Sequence, residues 1–459
     1  MNVTTKLDMD KVDYSKENIV NLRLGLEAPA LPEDFERNSA FIVAVLDKSG
    51  SMGMGDRFIR LQETMVKLIE NLTSQDRLGI VWFGDGASSE EVLVMNAEGK
   101  ELARQIISSA DCRDGHTDIE AGLLKASELL GPRQHDVTEV EKILLLTDGG
   151  ANAGVTSLEG LTSTLASVRA TVGLSCFGYG SDYNEHLLEG LSTSRAGASH
   201  FIENSDMLAG AFGEELGGML SRYSTQTTVK ISISTDDGEF VEMLNNFPMG
   251  EDQGAGNVII RTVNMGDVMY DETKNLFVRI KVPAKSSPET IKNLVLATVN
   301  GFEDGGKSWA GESHVDLHLV EASEVGLPDE EIAEQVLVLD AAKTQVSAKD
   351  LADKGEWQAA KELFDAMIDR LEDYDTDYTN NYAKMMRTTS EGLNSTYVAG
   401  GMYSKSMSNI AATTMSYRGT GGTMMRAMVD NDSRIGSTKN AFTQSIVDEF
   451  EDDEDQDKS

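Results

Sequence analysis

Between Phe41 and about Ser221 short apolar runs alternate with amphipathic segments. The runs FIVAVL, LGIVWFG, KILLLT, LSCFGYG and SHFIEN read as strands. Between them, Phe58, Leu61, Met65, Leu68, Ile69 and Leu72 recur at three- and four-residue steps, as do Leu158, Leu161, Leu165 and Val168, which marks the buried faces of helices. Alternation of this kind predicts a doubly wound α/β unit: a mostly parallel, Rossmann-like sheet with helices on both faces. In such sheets ligands sit outside the carboxyl ends of the strands, so the loop after FIVAVLD is the first place to look for chemistry.

Outside that unit the period changes from helical to two. Val229, Ile231 and Ile233, then Leu276, Val278, Ile280 and Val282, then Val315, Leu317 and Leu319 read as half-buried strands. Val20, Leu22, Leu24 and Leu26 alternate in the same way near the N-terminus, and one strand cannot bury its apolar face alone. The expectation is a β-sandwich split in sequence, with residues 1–35 as its first piece, the α/β unit inserted as 36–222, and 223–325 as its remainder. After Pro328 two helical patterns broken around Lys354 and Gly355 predict a helical hairpin over 326–395, with Trp357, Ala360, Phe364, Met367, Ile368 and Leu371 as its inner stripe. Residues 396–459 are rich in Gly, Ser, Thr and Met, keep no sustained period and end in the acidic DEFEDDEDQDKS, so a flexible tail is expected. Its methionines Met402, Met407, Met415, Met424, Met425 and Met428 are adaptable contacts through which such a tail could dock.

Length and charge narrow the classes. With 459 residues, two to four domains are expected. Lys and Arg number 40 against 77 Asp and Glu, a net charge of −37 that repels phosphate backbones and anionic membranes. Neither nucleic acid nor a membrane is expected as a partner. The two cysteines, Cys112 and Cys176, lack the spacing of a zinc site or a disulfide framework and read as free thiols. The first residues carry no basic start or apolar stretch of a secretory leader, and no run of about 18 apolar residues occurs. A soluble, cytoplasmic protein is expected.

The stretch FIVAVLDKSGSMG ends a strand on Asp47 and follows it with Ser49 and Ser51, so that a turn can bring three oxygens to one point. Hydroxyl and carboxylate oxygens are hard ligands that suit Mg²⁺. Two further loops offer the same donor type, GHTDIEAGL with Thr117 ahead of a helix and LLLTDGGAN with Asp148 just past a strand. DKSGS by itself reads as a helix N-cap and turn; the coincidence of three loops is what points to a metal. These motifs resemble the metal-ion-dependent adhesion site of von Willebrand factor A domains, over roughly residues 38–222 and in the family's order. The resemblance implies that Ser49, Ser51 and Thr117 ligate Mg²⁺ (or Mn²⁺ or Ca²⁺) through hydroxyls, with Asp47 and Asp148 binding directly or through water. More loosely, the accessory sandwich and hairpin resemble a bacterial-type subgroup similar in layout to inter-alpha-trypsin inhibitor heavy chains.

A metal held by few full charges stays electrophilic and keeps a position open for a partner's Asp or Glu. The expected function is therefore Mg²⁺-dependent protein–protein interaction rather than catalysis. An Mg²⁺-dependent phosphate-ester hydrolase and a structural subunit of a larger assembly are the alternatives, with an ATPase partner or self-assembly compatible with the first. His116 reads as a loop residue, since no serine or cysteine nucleophile pairs with it. DYDTDYTNNYAK fails as a calcium loop because Tyr378 stands where glycine is required and Lys384 where the bidentate acid belongs. No phosphate-binding glycine loop is present. Against the overall negative charge, Lys48, Arg57 and Arg113 are candidates for a local basic rim.

Overall fold

The structure is a computed structural model, and it describes residues 1–131, 139–169, 171–195, 197–202, 206–250, 253–303, 306–392, 411, 414–415 and 441–451. The chain divides into two compact units, one built from 1–30, 226–303 and 308–438, the other from 31–225, 304–307 and 439–459.

Strands β1 (Asn2–Leu7), β2 (Lys11–Asp13) and β3 (Asn18–Glu27) open the first unit. The chain then builds the second unit through β4 (Ser39–Asp47), α1 (Arg57–Asn71), β5 (Arg77–Phe83), β6 (Ala87–Ser89), β7 (Leu93–Val94), α2 (Ala97–Ser109), α3 (Ile119–Leu130) and β8 (Glu139–Gly149). It completes it with α4 (Leu158–Thr164), β9 (Gly173–Asp182), α5 (Glu185–Ser194), β10 (Ser199–Ile202) and α6 (Asp206–Leu220). The sheet runs β10-β9-β8-β4-β5-β6, with its first five strands parallel. Every residue from Phe41 to Leu46 is fully buried, as a strand covered on both faces requires. On one face Ile42, Ala44 and Leu46 meet Leu61, Met65 and Leu68 of α1 and Phe212 and Leu216 of α6. The short antiparallel β6 and β7 beside β5 were not foreseen: three and two residues, mostly polar in β6, carry no periodicity. The helix foreseen through Val168 ends as α4 and tightens into a 3₁₀ turn at Leu165–Ser167, with Leu161, Leu165 and Val168 buried.

The first unit resumes with β11 (Arg222–Ser234), β12 (Glu239–Met243), β13 (Gln253–Ala255), β14 (Val258–Met269), β15 (Thr273–Val282), β16 (Glu289–Glu303) and β17 (Ser308–Val320). Its two sheets run β1-β3-β15-β12 and β13-β14-β11-β16-β17-β2. Strand β3 pairs antiparallel with β15, setting Leu24 opposite Leu276 and Val20 opposite Ile280. Their alternate side chains share a core with Val229, Ile231 and Ile233 of β11 and Leu317 and Leu319 of β17.

Three helices follow where two were expected: α7 (Glu330–Asp353), α8 (Trp357–Tyr374) and α9 (Asp377–Gly392). The stripe foreseen on α8 is real, with Ala360, Phe364, Met367, Ile368 and Leu371 buried. Helix α9 is rich in Thr, Asn and Tyr, poor helix formers that hide it from a reading by propensity. Burial of Tyr378, Tyr382 and Met386 at four-residue spacing, and a 3.0 Å bond from the Tyr382 hydroxyl to Gln345 Oε1, hold it against α7. Met415 packs on this helical core and its carbonyl accepts from Asn245 Nδ2 at 3.0 Å; the other five tail methionines lie outside the described residues. Within the stretch expected to be flexible, α10 (Ala441–Glu451, the last helix described) docks in the α/β unit, where Val447 is buried and Thr443 Oγ1 lies 3.0 Å from Ser221 Oγ on the C-terminal side of α6. Among the described residues no helix is long and apolar enough to cross a membrane.

Candidate metal centre

Strand β4 lies inside the parallel sheet between β5 and β8, and the chain moves to one side of it for β5 and to the other for β8. That reversal of strand order opens a crevice at the carboxyl ends of β4 and β8. Asp47 ends β4, Asp148 lies at the end of β8, and the pairing of Leu46 with Leu146 sets the two strand ends side by side. After Asp47 the chain turns into a short 3₁₀ helix, Gly50–Gly53, anchored by the fully buried Met52.

One run of hydrogen bonds joins four of the five foreseen residues. Ser49 N donates to Asp47 Oδ1 (2.7 Å), Ser49 Oγ and Ser51 Oγ are 3.0 Å apart, and Ser51 Oγ donates to Asp148 Oδ1 (2.7 Å). The fifth, Thr117, precedes α3 and stands beside Gly149, where a Cβ would lie 3.4 Å from the Thr117 Oγ1. Asn152 fixes Thr117 from both sides: its Oδ1 accepts from Thr117 N (2.8 Å) and its own N donates to the Thr117 carbonyl (3.2 Å). The loop before Thr117 is tied to the serine loop through Gly50 N and the Asp114 carbonyl (2.8 Å). Gly84 is needed here, since a Cβ on it would stand 2.3 Å from Asp114 Oδ2.

Asp47 and Asp148 are fully buried, and Ser49 and Thr117 nearly so. Asp47 accepts from neutral donors, Ser49 N and, at 2.6 Å, Thr147 Oγ1. Burial, with the neighbouring charge of Asp148 adding to it, pushes its carboxyl up to about 6 against the pull of those hydrogen bonds. Asp148 has a cationic partner: Arg57 donates from one guanidinium nitrogen to Asp148 Oδ2 at 2.7 Å. Among the described residues no three His, Cys, Asp or Glu side chains stand together in a metal-holding cluster. What gathers here instead is two serine hydroxyls and two acids, with Thr117 beside Gly149, oxygen donors of the kind a hard cation takes.

The foreseen basic rim is not free charge. Lys48 Nζ lies 3.2 Å from Asp114 Oδ2, Arg113 Nε 3.1 Å from Asp111 Oδ2, and Arg57 is spent on Asp148. His116 Nδ1 lies 2.7 Å from Asp85 Oδ1, the oxygen that also accepts the backbone N–H of Gly115 and of His116 itself, so this histidine clamps a loop. Sequence reasoning overlooked Thr147 and Asn152, although both lie in the LLLTDGGAN stretch that carries Asp148. It placed Arg57 at the rim, and folding carries it into the site.

Residues 42–151 match the family model of the von Willebrand factor type A domain. Mouse (Mus musculus) inter alpha-trypsin inhibitor heavy chain 4 is 29% identical over 182 residues, covering 38% of this chain and 19% of that one. The chain spans about a fifth of the length of the first curated relatives it matches. Among solved structures, a von Willebrand factor type A protein from Catenulispora acidiphila superposes with a TM-score of 0.67 at 15% identity, over 84% of this chain and 89% of its own. The ArnB paralog VWA2 from Sulfolobus acidocaldarius gives 0.55 at 14% identity, over 88% and 97%. These likenesses are of fold.

Proposed function

With a von Willebrand factor type A domain as the premise, we propose that this chain is an interaction protein whose α/β unit holds a divalent cation, Mg²⁺ in the first place, and through it grips an Asp or Glu carboxylate of a partner protein. Ser49, Ser51 and Thr117 would hold the cation with their hydroxyls, and Asp47 and Asp148 would supply the negative charge. The observation that carries this reading is the pair of buried acids at the ends of neighbouring strands, joined through the Ser49 backbone N–H and two serine hydroxyls at 2.7 to 3.0 Å. Two carboxylates held this close and away from water repel each other, and a cation between the loops would relieve that cost.

A bound divalent ion supplies an electrophilic centre for one further oxygen donor. The chain's part is to position that centre. Met52 anchors the serine loop, Thr147 orients Asp47 and Asn152 fixes Thr117. Desolvating a partner's carboxylate is costly, so only a well-shaped acidic segment gains net affinity.

Affinity capture with the full chain in Mg²⁺, followed by elution with chelator, tests the function. Proteins released by chelator from wild type and never retained by Asp47→Ala are the expected result; identical capture by both, indifferent to chelator, refutes the reading. Salt provides a further check. The three rim cations are each paired, and the chain carries −37, so long-range repulsion of an acidic partner is unopposed. Raising ionic strength from about 20 to about 150 mM shortens the Debye length to about 8 Å and should therefore accelerate association. Stopped-flow or surface-based on-rates that fall with salt would contradict it.

A further inference from the structure

Arg57 occupies a position that helix stability does not explain. It opens α1, where the partial positive charge of the helix N-terminus disfavours a cation, and no acid shares that first turn. The guanidinium is nevertheless held in place. One nitrogen donates to Asp148 Oδ2 at 2.7 Å, and its central carbon lies 5.4 Å from the centroid of the Tyr179 ring, within cation–π range. Gly180 makes room beside it: at φ +73° this residue adopts a left-handed conformation, and a Cβ on it would stand 3.1 Å from the guanidinium. Strand β9 thus contributes a platform and a gap to a side chain only 20% exposed.

Asp148 is divided by this arrangement, with Oδ1 turned to Ser51 and Oδ2 to Arg57. Two carboxylates and one guanidinium leave the site with one net negative charge. We propose that Arg57 is the built-in counter-cation of this site, lowering its affinity for divalent metal while leaving the bound ion with a net positive charge to offer a partner's carboxylate. The inference rests on the metal reading given above. Without Arg57 the two acids would balance a divalent ion fully, giving tighter metal binding and a weaker grip on the partner. In the metal-free protein the same guanidinium stands in for part of the missing charge and keeps the acids from facing each other alone.

The test is calorimetric titration of Mg²⁺ into the full chain at fixed ionic strength, with thermal melts in chelator beside it. Arg57→Gln should bind Mg²⁺ at least about tenfold more tightly, since the repulsion between a unit charge and a divalent ion a few ångströms away exceeds that even at the dielectric of water. In chelator the same variant should melt below wild type, having lost the partner of Asp148. Arg57→Lys, which keeps the charge, should stay within about threefold of wild type, a rescue that a purely steric role would not produce. Tyr179→Leu loosens the guanidinium without altering charge and should tighten Mg²⁺ binding by less than Arg57→Gln does, giving a second reading should Arg57→Gln fold poorly. Wild type that binds Mg²⁺ while neither Arg57→Gln nor Tyr179→Leu binds more tightly overturns this inference alone. Wild type that takes up no Mg²⁺ overturns the metal site and the inference with it.

Discussion

Asp47→Ala is expected to abolish every stabilisation that divalent metal confers on the α/β unit. A ligand at a hundred times its dissociation constant stabilises the state that binds it by about 2.7 kcal/mol, and this is the increment to be lost. The substitution also has a metal-independent cost. Asp47 is fully buried and accepts from Ser49 N and Thr147 Oγ1, and leaving such donors unpaired costs about 1–3 kcal/mol each. Melting wild type, Asp47→Ala and Asp47→Asn in saturating Mg²⁺ and in chelator separates the two effects. Asp47→Ala should melt lower than wild type in both conditions, Asp47→Asn should lose less in chelator because it removes a buried charge beside Asp148, and neither should show a Mg²⁺-dependent shift of its own; a shift of wild-type size in Asp47→Ala would remove that carboxylate from the candidate metal centre.

Glu215→Ala is expected to cause the largest loss of stability away from the candidate metal centre. Glu215 of α6 is nearly buried and forms an ion pair with Lys142 of β8, while its other oxygen lies 3.0 Å from His200 Nε2 on β10. Phe177 stacks on the histidine ring at 4.7 Å. Burial alone would raise the Glu215 carboxyl, but Lys142 and His200 outweigh it and hold it far below the usual carboxylate range. Removing one partner of a buried pair costs about 3–5 kcal/mol, because the remaining charge stays desolvated without compensation. For a unit of this size that corresponds to a fall in melting temperature on the order of 10 °C. The sign with pH follows from the depressed carboxyl. Its stabilisation is complete above the ordinary glutamate value of about 4.3 and is lost as pH falls toward the lower folded value. The gap between wild type and variant should therefore hold from neutral pH down to about 5 and narrow in acid. A gap that widens on acidification would show that this pair is not what Glu215 contributes.

Both substitutions bear on how the α/β unit divides its labour. At the carboxyl ends of the strands the acids are packed against neutral hydroxyls and one arginine. Away from that crevice, the buried Glu215 of α6 is matched in place by Lys142 of β8 and His200 of β10.

Much of this was legible along the chain. Fully apolar runs such as FIVAVL report burial on both faces whatever their neighbours, and the period-two stripe of Val20 to Leu26 reports a half-buried strand for the same local reason. The candidate donors stood out because three loops repeat short hydroxyl and carboxylate side chains, where any one loop alone reads as a cap or turn. Helix α9 was not, because its formation depends on burying Tyr378 and Tyr382 rather than on propensity. The edge strands β6 and β7 were missed because their existence depends on pairing with β5.

Sequence by itself determined the alternation of elements, the split of the sandwich and the residue types at the site, since each is written in spacings of a few positions. Tertiary structure alone decided which charges meet. Arg57 reaches Asp148 across 91 positions, Thr147 reaches Asp47 across 100, and Lys142 reaches Glu215 across 73. Local pattern records the face a side chain presents; its partner depends on strand order and helix docking, and so does the conversion of an expected basic rim into paired charge.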